Sequence, residues 1–246
     1  MIPIVDVKHG KHLNKKETAQ LIENALQAQD FKGILDELYK SGVNTNDYYV
    51  AAAAKFEYVI PEKADEVVFD ETLVLKFADK AMITYHRISV PTKLKEVVIG
   101  GIRKKIDGQD KFVNLNIFAN GLEETEFDYD GQLEKNFAAE FPNEEGYIEG
   151  QSLEQVSAQW SWPDGCYPTY KHCGKGCGDN GKYGGGTPKN ALDTCCRTHD
   201  RCWANFGTND CQCDCDFIKC ANKNNLNSVL VSVINSIFPM ADSCKC

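Results

Sequence analysis

The sequence predicts an α+β fold over residues 1–150. A small, disulfide-rich, mainly α domain follows at about residues 160–246, built on two antiparallel, cross-linked helices. Three observations point there. All 12 cysteines lie between Cys166 and Cys246. Residues 151–246 carry nine basic and nine acidic side chains while residues 1–150 carry 18 and 27, so the net charge of -9 belongs to the first part. Helical periodicity also gives way near Phe56 to short β-rich runs. Two composition regimes argue two domains. A chain of 246 residues buries a sufficient core without covalent staples, so the cysteines report an oxidising compartment and an even count that allows six bridges. Their spacings are CxxxC, CC, CxC and CxCxC, and no Cys-x-x-Cys pair of a zinc knuckle occurs. The acidic first part argues against a nucleic-acid partner, which requires a positive surface to displace counterions.

Taken in order, the N-terminus shows no basic start followed by a long apolar stretch, so no export signal is visible. His9 and His12, beside Lys8 and Lys11, read as a solvated tail rather than a metal pair. Residues 13–42 predict two helices in a bundle-like opening. Leu21, Ile22, Ala25 and Leu26 make one stripe, Phe31, Ile34, Leu35, Leu38 and Tyr39 the next, and Gly42 closes it. Strands are expected over 56–60, 67–69, 73–77, 82–90, 97–102 and 112–118; in the last, Val113, Leu115 and Ile117 alternate with Asn114 and Asn116. His86 sits in one of these runs with no chemical motif beside it. Residues 142–159 are polar and acidic, a linker or a final helix. The first domain carries no functional signature, and a prodomain, a targeting module and a binding module all remain open for it.

The second domain opens with Trp160, Trp162, Tyr167 and Tyr170 around Pro163 and Pro168, aromatics assigned to core or loop packing. The glycine-rich stretch 174–186 contains Gly176-x-x-x-x-Gly181-Lys182. This is not a nucleotide loop, because Tyr183 stands where Ser or Thr is required and no helix follows directly. Glycines in this number let backbone carbonyls turn inward around a hard cation, as Asp200 would require if it is to bind one; the alternative is a flexible disulfide-rich loop. If residues 190–206 are helical, Cys195, His199 and Cys202 share one face, with Cys196, Asp200 and Trp203 beside them. Cys213 and Cys220 have the same spacing, with Phe217 between. Two antiparallel helices can then be riveted twice, Cys195 to Cys220 and Cys202 to Cys213, since the rungs are about 10.5 Å apart on each axis. Rung spacing alone puts Asp216 most nearly opposite His199. The apolar face over 226–238 predicts a core helix too short to span a bilayer.

These residues identify a resemblance. Cys195-Cys196-Arg197-Thr198-His199-Asp200-Arg201-Cys202 resembles the active-site helix of the secreted phospholipases A2, and the preceding Gly186-Thr187-Pro188 and Leu192-Asp193 match that family's spacing. Cys211-x-Cys213-Asp214 with Cys220 is similar to its second long helix. Cys173-Gly174-Lys175-Gly176 is similar to its calcium loop, with Cys177-Gly178 as an alternative register. The first register is favoured because its Cys-Gly-x-Gly is complete. The resemblance covers roughly residues 160–246. Loop spacing and the Phe217 context are most similar to the bee-venom-type branch, and Cys244-Lys245-Cys246 with Gly176-Cys177-Gly178 to the group-twelve branch.

The resemblance implies a Ca2+-dependent hydrolase that cleaves the sn-2 ester of glycerophospholipids at a membrane or micelle surface, outside the cell. His199 activates water, and Asp214 supports the imidazole in preference to Asp216. Asp200 holds the ion with carbonyls of His172, Gly174 and Gly176, or of Gly178 in the alternative loop. A Cys173–Cys196 bridge is implied as well. Trp203 replaces the tyrosine of the conventional branch, whose hydroxyl contact to the catalytic aspartate is therefore lost at that position. Competing functions are a non-catalytic, phospholipase-like toxin or membrane- or receptor-binding module, and a thiolate metal protein. Protein partners and lipid preference are left open by the sequence.

Overall fold

The structure is a computed structural model that describes residues 9–60, 63–78, 80–90, 93–118, 121–128, 141–151, 166, 170–174, 176–208, 210–224 and 234. The chain packs as two compact units, one of Met1–Lys8, Glu57–Val68 and Ile148–Cys246, the other of His9–Phe56 and Phe69–Tyr147.

Seven described strands form one sheet in the order β1-β2-β3-β4-β5-β6-β7, antiparallel from β3 to β7. They are β1 (His9–His12), β2 (Tyr49–Ile60), β3 (Lys63–Phe77), β4 (Ala81–Val90), β5 (Lys93–Ile106), β6 (Gln109–Phe118) and β7 (Gly121–Asp128). Helices α1 (Lys15–Gln27) and α2 (Gln29–Lys40) come between β1 and β2. The first domain is therefore mainly a sheet, and its opening helices lie on that sheet rather than forming a bundle. Leu21, Ala25, Phe31, Ile34 and Leu38 join Leu73, Leu75, Ile83, Tyr85, Val113 and Leu115 in one core. Burying each large apolar side chain contributes roughly 1.5–3 kcal/mol. Close approach of α2 depends on Gly100 of β5, where a Cβ would come within 2.5 Å of Ile34 Cγ2.

Local chemistry fixes the ends. Asn14 and Glu17 form a reciprocal capping box at the start of α1. Between β5 and β6, Asp107 and Gly108 both take positive φ, 51° and 79°, which makes a two-residue turn whose twist suits antiparallel strands. Far from a solvated tail, His9 and His12 lie in a strand, and His9 Nδ1 is 3.1 Å from Glu144 Oε1. The expected strands 67–69 and 73–77 are one element, and Asp70 and Thr72 in its middle are fully buried.

In the cysteine-bearing unit, α3 (Ala191–Phe206) and α4 (Cys211–Asn224) are joined by Cys195–Cys220 and Cys202–Cys213, each with a Cα separation of 5.7 Å. Because the earlier cysteine of one helix joins the later cysteine of the other, the two run antiparallel. Cys166–Cys177 and Cys173–Cys196 bind the glycine-rich segment, Cys211 and Cys215 are also oxidised, and no described cysteine is free. Among the described residues no helix is long and apolar enough to cross a membrane. Trp160, Trp162, Tyr167, the later part of the proposed linker and the 226–238 helix lie outside the described residues, apart from buried Ile234.

Candidate active site and cation cleft

The start of α3 organises the site. Asn190 caps it, its side chain accepting from the Asp193 N–H at 2.9 Å. The fully buried Asp193 carboxylate accepts from the backbone N–H groups of Lys171, His172 and Lys189, at 3.0, 2.7 and 2.8 Å. A carboxylate is also favoured by the helix N-terminus. It anchors the approach to the glycine-rich loop, and Cys173–Cys196 repeats the attachment one residue later. Sequence reading used Asp193 only as a spacing match; the Asn190-x-x-Asp193 cap pattern was the available signal.

One turn into the cross-linked region, His199 Nε2 lies 2.8 Å from Asp214 Oδ1, and both residues are buried, at 2% and 1% exposure. Phe217 stacks on the imidazole at 4.6 Å between centroids, and Trp203 packs at 4.3 Å, tilted. Trp203 Nε1–H donates to Asp214 Oδ1 at 2.9 Å. The contact expected to vanish with the conventional tyrosine is thus supplied by an indole. Asp216 is exposed and accepts from Gln212 instead, so rung spacing alone selects the wrong carboxylate. A slight offset between the helices brings Asp214 in. Burial holds the His199 imidazole below its usual pKa, and Asp214 opposes that shift.

Asp200, the next residue, faces a cleft of about 360 Å³ whose lining includes His172, Gly176, Asp179, Arg197, Arg201 and Trp203. Gly174, His199 and Asp214 do not line it. Asp200 Oδ2 is buried with no hydrogen-bond partner. Burial, with Asp179 and Asp193 adding negative potential, pushes the Asp200 carboxyl up to about 7. Gly178 is the loop glycine seen against Asp200: a Cβ there would come within 2.7 Å of Oδ2, and its φ is 115°. Across the cleft, Arg201 Nη2 donates to Asp179 Oδ2 at 2.9 Å while the Gly186 N–H donates to Asp179 Oδ1 at 2.9 Å. Gly186 first and Arg201 second keep the Asp179 carboxyl below its usual range. This brace ties the loop to α3.

The orphaned Asp200 oxygen suits a hard cation. Among the described residues no cluster of three His, Cys, Asp or Glu side chains is placed to hold a metal, so further oxygens for such an ion would have to come from the backbone. The Gly174 carbonyl already accepts from Cys177 N–H at 3.1 Å and the Gly176 carbonyl from Tyr183 N–H at 3.0 Å, each keeping a second lone pair.

Comparison with known proteins gives a short similarity. Human group IID secretory phospholipase A2 is 40% identical over 58 residues, which is 24% of this chain and 32% of that protein. The chain thus spans about a third of the length of the curated relative it matches. No family model matches the chain, and no solved structure matches it. The similarity supports a lipolytic family at most, and the disulfides of the cysteine-bearing unit accord with an extracellular relative.

Proposed function

We propose that the cysteine-bearing unit is a phospholipase A2-like domain that hydrolyses the sn-2 ester of glycerophospholipids at a lipid surface, outside the cell, with Ca2+ as cofactor. The observation that carries this reading is the buried His199–Asp214 pair standing one residue from a carboxylate with an orphaned oxygen. The short similarity to a secretory phospholipase supports it.

With Nε2 committed to Asp214, Nδ1 is the nitrogen that takes a proton from water as the water oxygen attacks the ester carbonyl carbon. Asp214 fixes that tautomer and stabilises the imidazolium that forms. Trp203 and Phe217 hold the ring in place and exclude bulk solvent. When the tetrahedral centre collapses, the imidazolium returns the proton to the departing alkoxide, and the products are a fatty acid and a lysophospholipid. Asp200 and loop carbonyls, drawn from His172, Gly174, Gly176 and Gly178, would hold Ca2+. Bound there, the ion would polarise the ester carbonyl and stabilise the oxyanion.

The test is product analysis on a lipid labelled at its sn-2 chain. Label should appear as free fatty acid with the native chain, and His199→Gln should reduce the rate at least a thousandfold while the melting temperature stays within a few degrees. Label recovered in lysophospholipid instead of free fatty acid, or full activity in the variant, would sink the assignment. One observation favours a second reading, a non-catalytic membrane- or receptor-binding module: His199 does not line the cleft. Under that reading His199→Gln leaves membrane or receptor binding intact and there is no hydrolysis to lose.

A further inference from the structure

Oxygen-ligand chemistry leaves one buried atom of the cleft unexplained. His172 is fully buried, and its Nε2 is 2.9 Å from the Gly186 carbonyl oxygen. A carbonyl only accepts, so Nε2 carries the hydrogen and the neutral ring presents a lone pair at Nδ1. That Nδ1 has no hydrogen-bond partner, and neither has Asp200 Oδ2. Both residues line the same cleft, and the two atoms flank one glycine. The place a Cβ on Gly178 would occupy lies 2.7 Å from Asp200 Oδ2 and 3.5 Å from His172 Nδ1. A side chain at 178 would crowd both atoms, and the φ of 115° there disfavours any replacement.

A hard cation accounts for the orphaned oxygen but not for the nitrogen. Calcium takes oxygen ligands, whereas imidazole suits borderline ions such as Zn2+. An imidazole whose second nitrogen donates to a backbone carbonyl is oriented as metal-bound histidines are. Leaving two polar groups buried and unmatched destabilises the fold, and a shared ion would remove that penalty.

We propose that His172 Nδ1 and Asp200 Oδ2 form a site for a borderline divalent cation of the zinc class, with backbone oxygen and water completing the shell. The sequence assigned His172 only as a carbonyl donor; here its imidazole does the binding. Since Asp200 is common to both ions, zinc and calcium exclude each other. That consequence rests on the calcium reading above, whereas zinc binding itself does not.

The experiment uses the full, oxidised chain and zinc chloride, with calorimetry for affinity and zinc X-ray absorption for the ligands. One equivalent of zinc should bind in calcium-free buffer, with an imidazole nitrogen at about 2.0 Å. His172→Gln should weaken zinc at least fiftyfold more than it weakens calcium, and Asp200→Asn should weaken both. Added calcium should raise the apparent zinc Kd. An all-oxygen shell in the native chain would overturn the proposal without reference to any variant, and so would unchanged zinc affinity in a folded His172→Gln chain. Independent binding of the two ions would overturn the shared carboxylate. A chain that binds zinc through imidazole yet hydrolyses no lipid keeps this site and removes only the hydrolase reading.

Discussion

Replacing Trp203 with Phe keeps an aromatic ring on His199 and deletes one hydrogen bond to Asp214. A net loss of about 1.5 kcal/mol in transition-state stabilisation corresponds to roughly tenfold in kcat. The reduction should fall on kcat rather than KM, because the indole acts through Asp214 and not on the lipid; a change confined to KM would count against it. Asp200 gives a pH prediction. Its carboxyl titrates near 7 when folded and near 3.8 in the reference state, so the folded chain retains a proton across that window that the unfolded chain has lost. Cation-free stability therefore falls as pH rises from about 4 to about 7. Calcium meets an ionised carboxylate at pH 8 and must expel a proton at pH 5.5. The calcium-induced rise in melting temperature should be larger at pH 8, and an equal rise at both would contradict the assignment. At this scale the cysteine ladder displays His199 and Asp200, whereas Asp214 is reached only through the family resemblance, since the ladder alone points to Asp216. The sequence conceals the Trp203 N–H contact to Asp214 and the burial of the His172 imidazole, because neither has a spacing signature.

Strand β3 shows why the elements were only partly legible. Asp70, Glu71 and Thr72 interrupt its apolar runs, so the sequence splits it in two. In the folded chain Thr72 Oγ1–H donates to Asp70 Oδ1 at 3.0 Å and lies 2.8 Å from His86 Nδ1, directly across the pair to β4. Thr72 links the two polar partners on a buried face, and the strand continues, although His86 Nε2 is left without a hydrogen-bond partner. Thr72→Val keeps the β-branched shape and removes the link, leaving buried polar atoms unmatched. Urea unfolding should lose about 1–3 kcal/mol, and no loss would show that the relay carries no stability. Strand β7 was missed for the opposite reason: Glu123, Glu124, Glu126 and Asp128 depress β propensity, yet the strand pairs along β6 as the last in the sheet order. The helices α3 and α4 were legible because cysteine spacing adds a second periodic signal to the apolar one.

Across the whole chain, covalent bracing is concentrated in one part. All 12 cysteines lie beyond residue 165, while the core that α1 and α2 form with the sheet contains none. Reduction with dithiothreitol should therefore abolish the helical signal of α3 and α4 and any lipid hydrolysis, while the strand signal in circular dichroism persists. Simultaneous loss of both signals would show that the two units fold as one cooperative body. The composition break near residue 150 is visible in charge and cysteine alone, whereas the assignment of Glu57–Val68 to the cysteine-bearing unit depends on long-range packing that no local pattern encodes. Fatty-acid release from phospholipid and neutral-detergent mixed micelles, measured with millimolar calcium and again with excess chelator, addresses the central claim most directly. The account predicts release that requires calcium and disappears in His199→Gln. Release that survives both chelation and that substitution would contradict it.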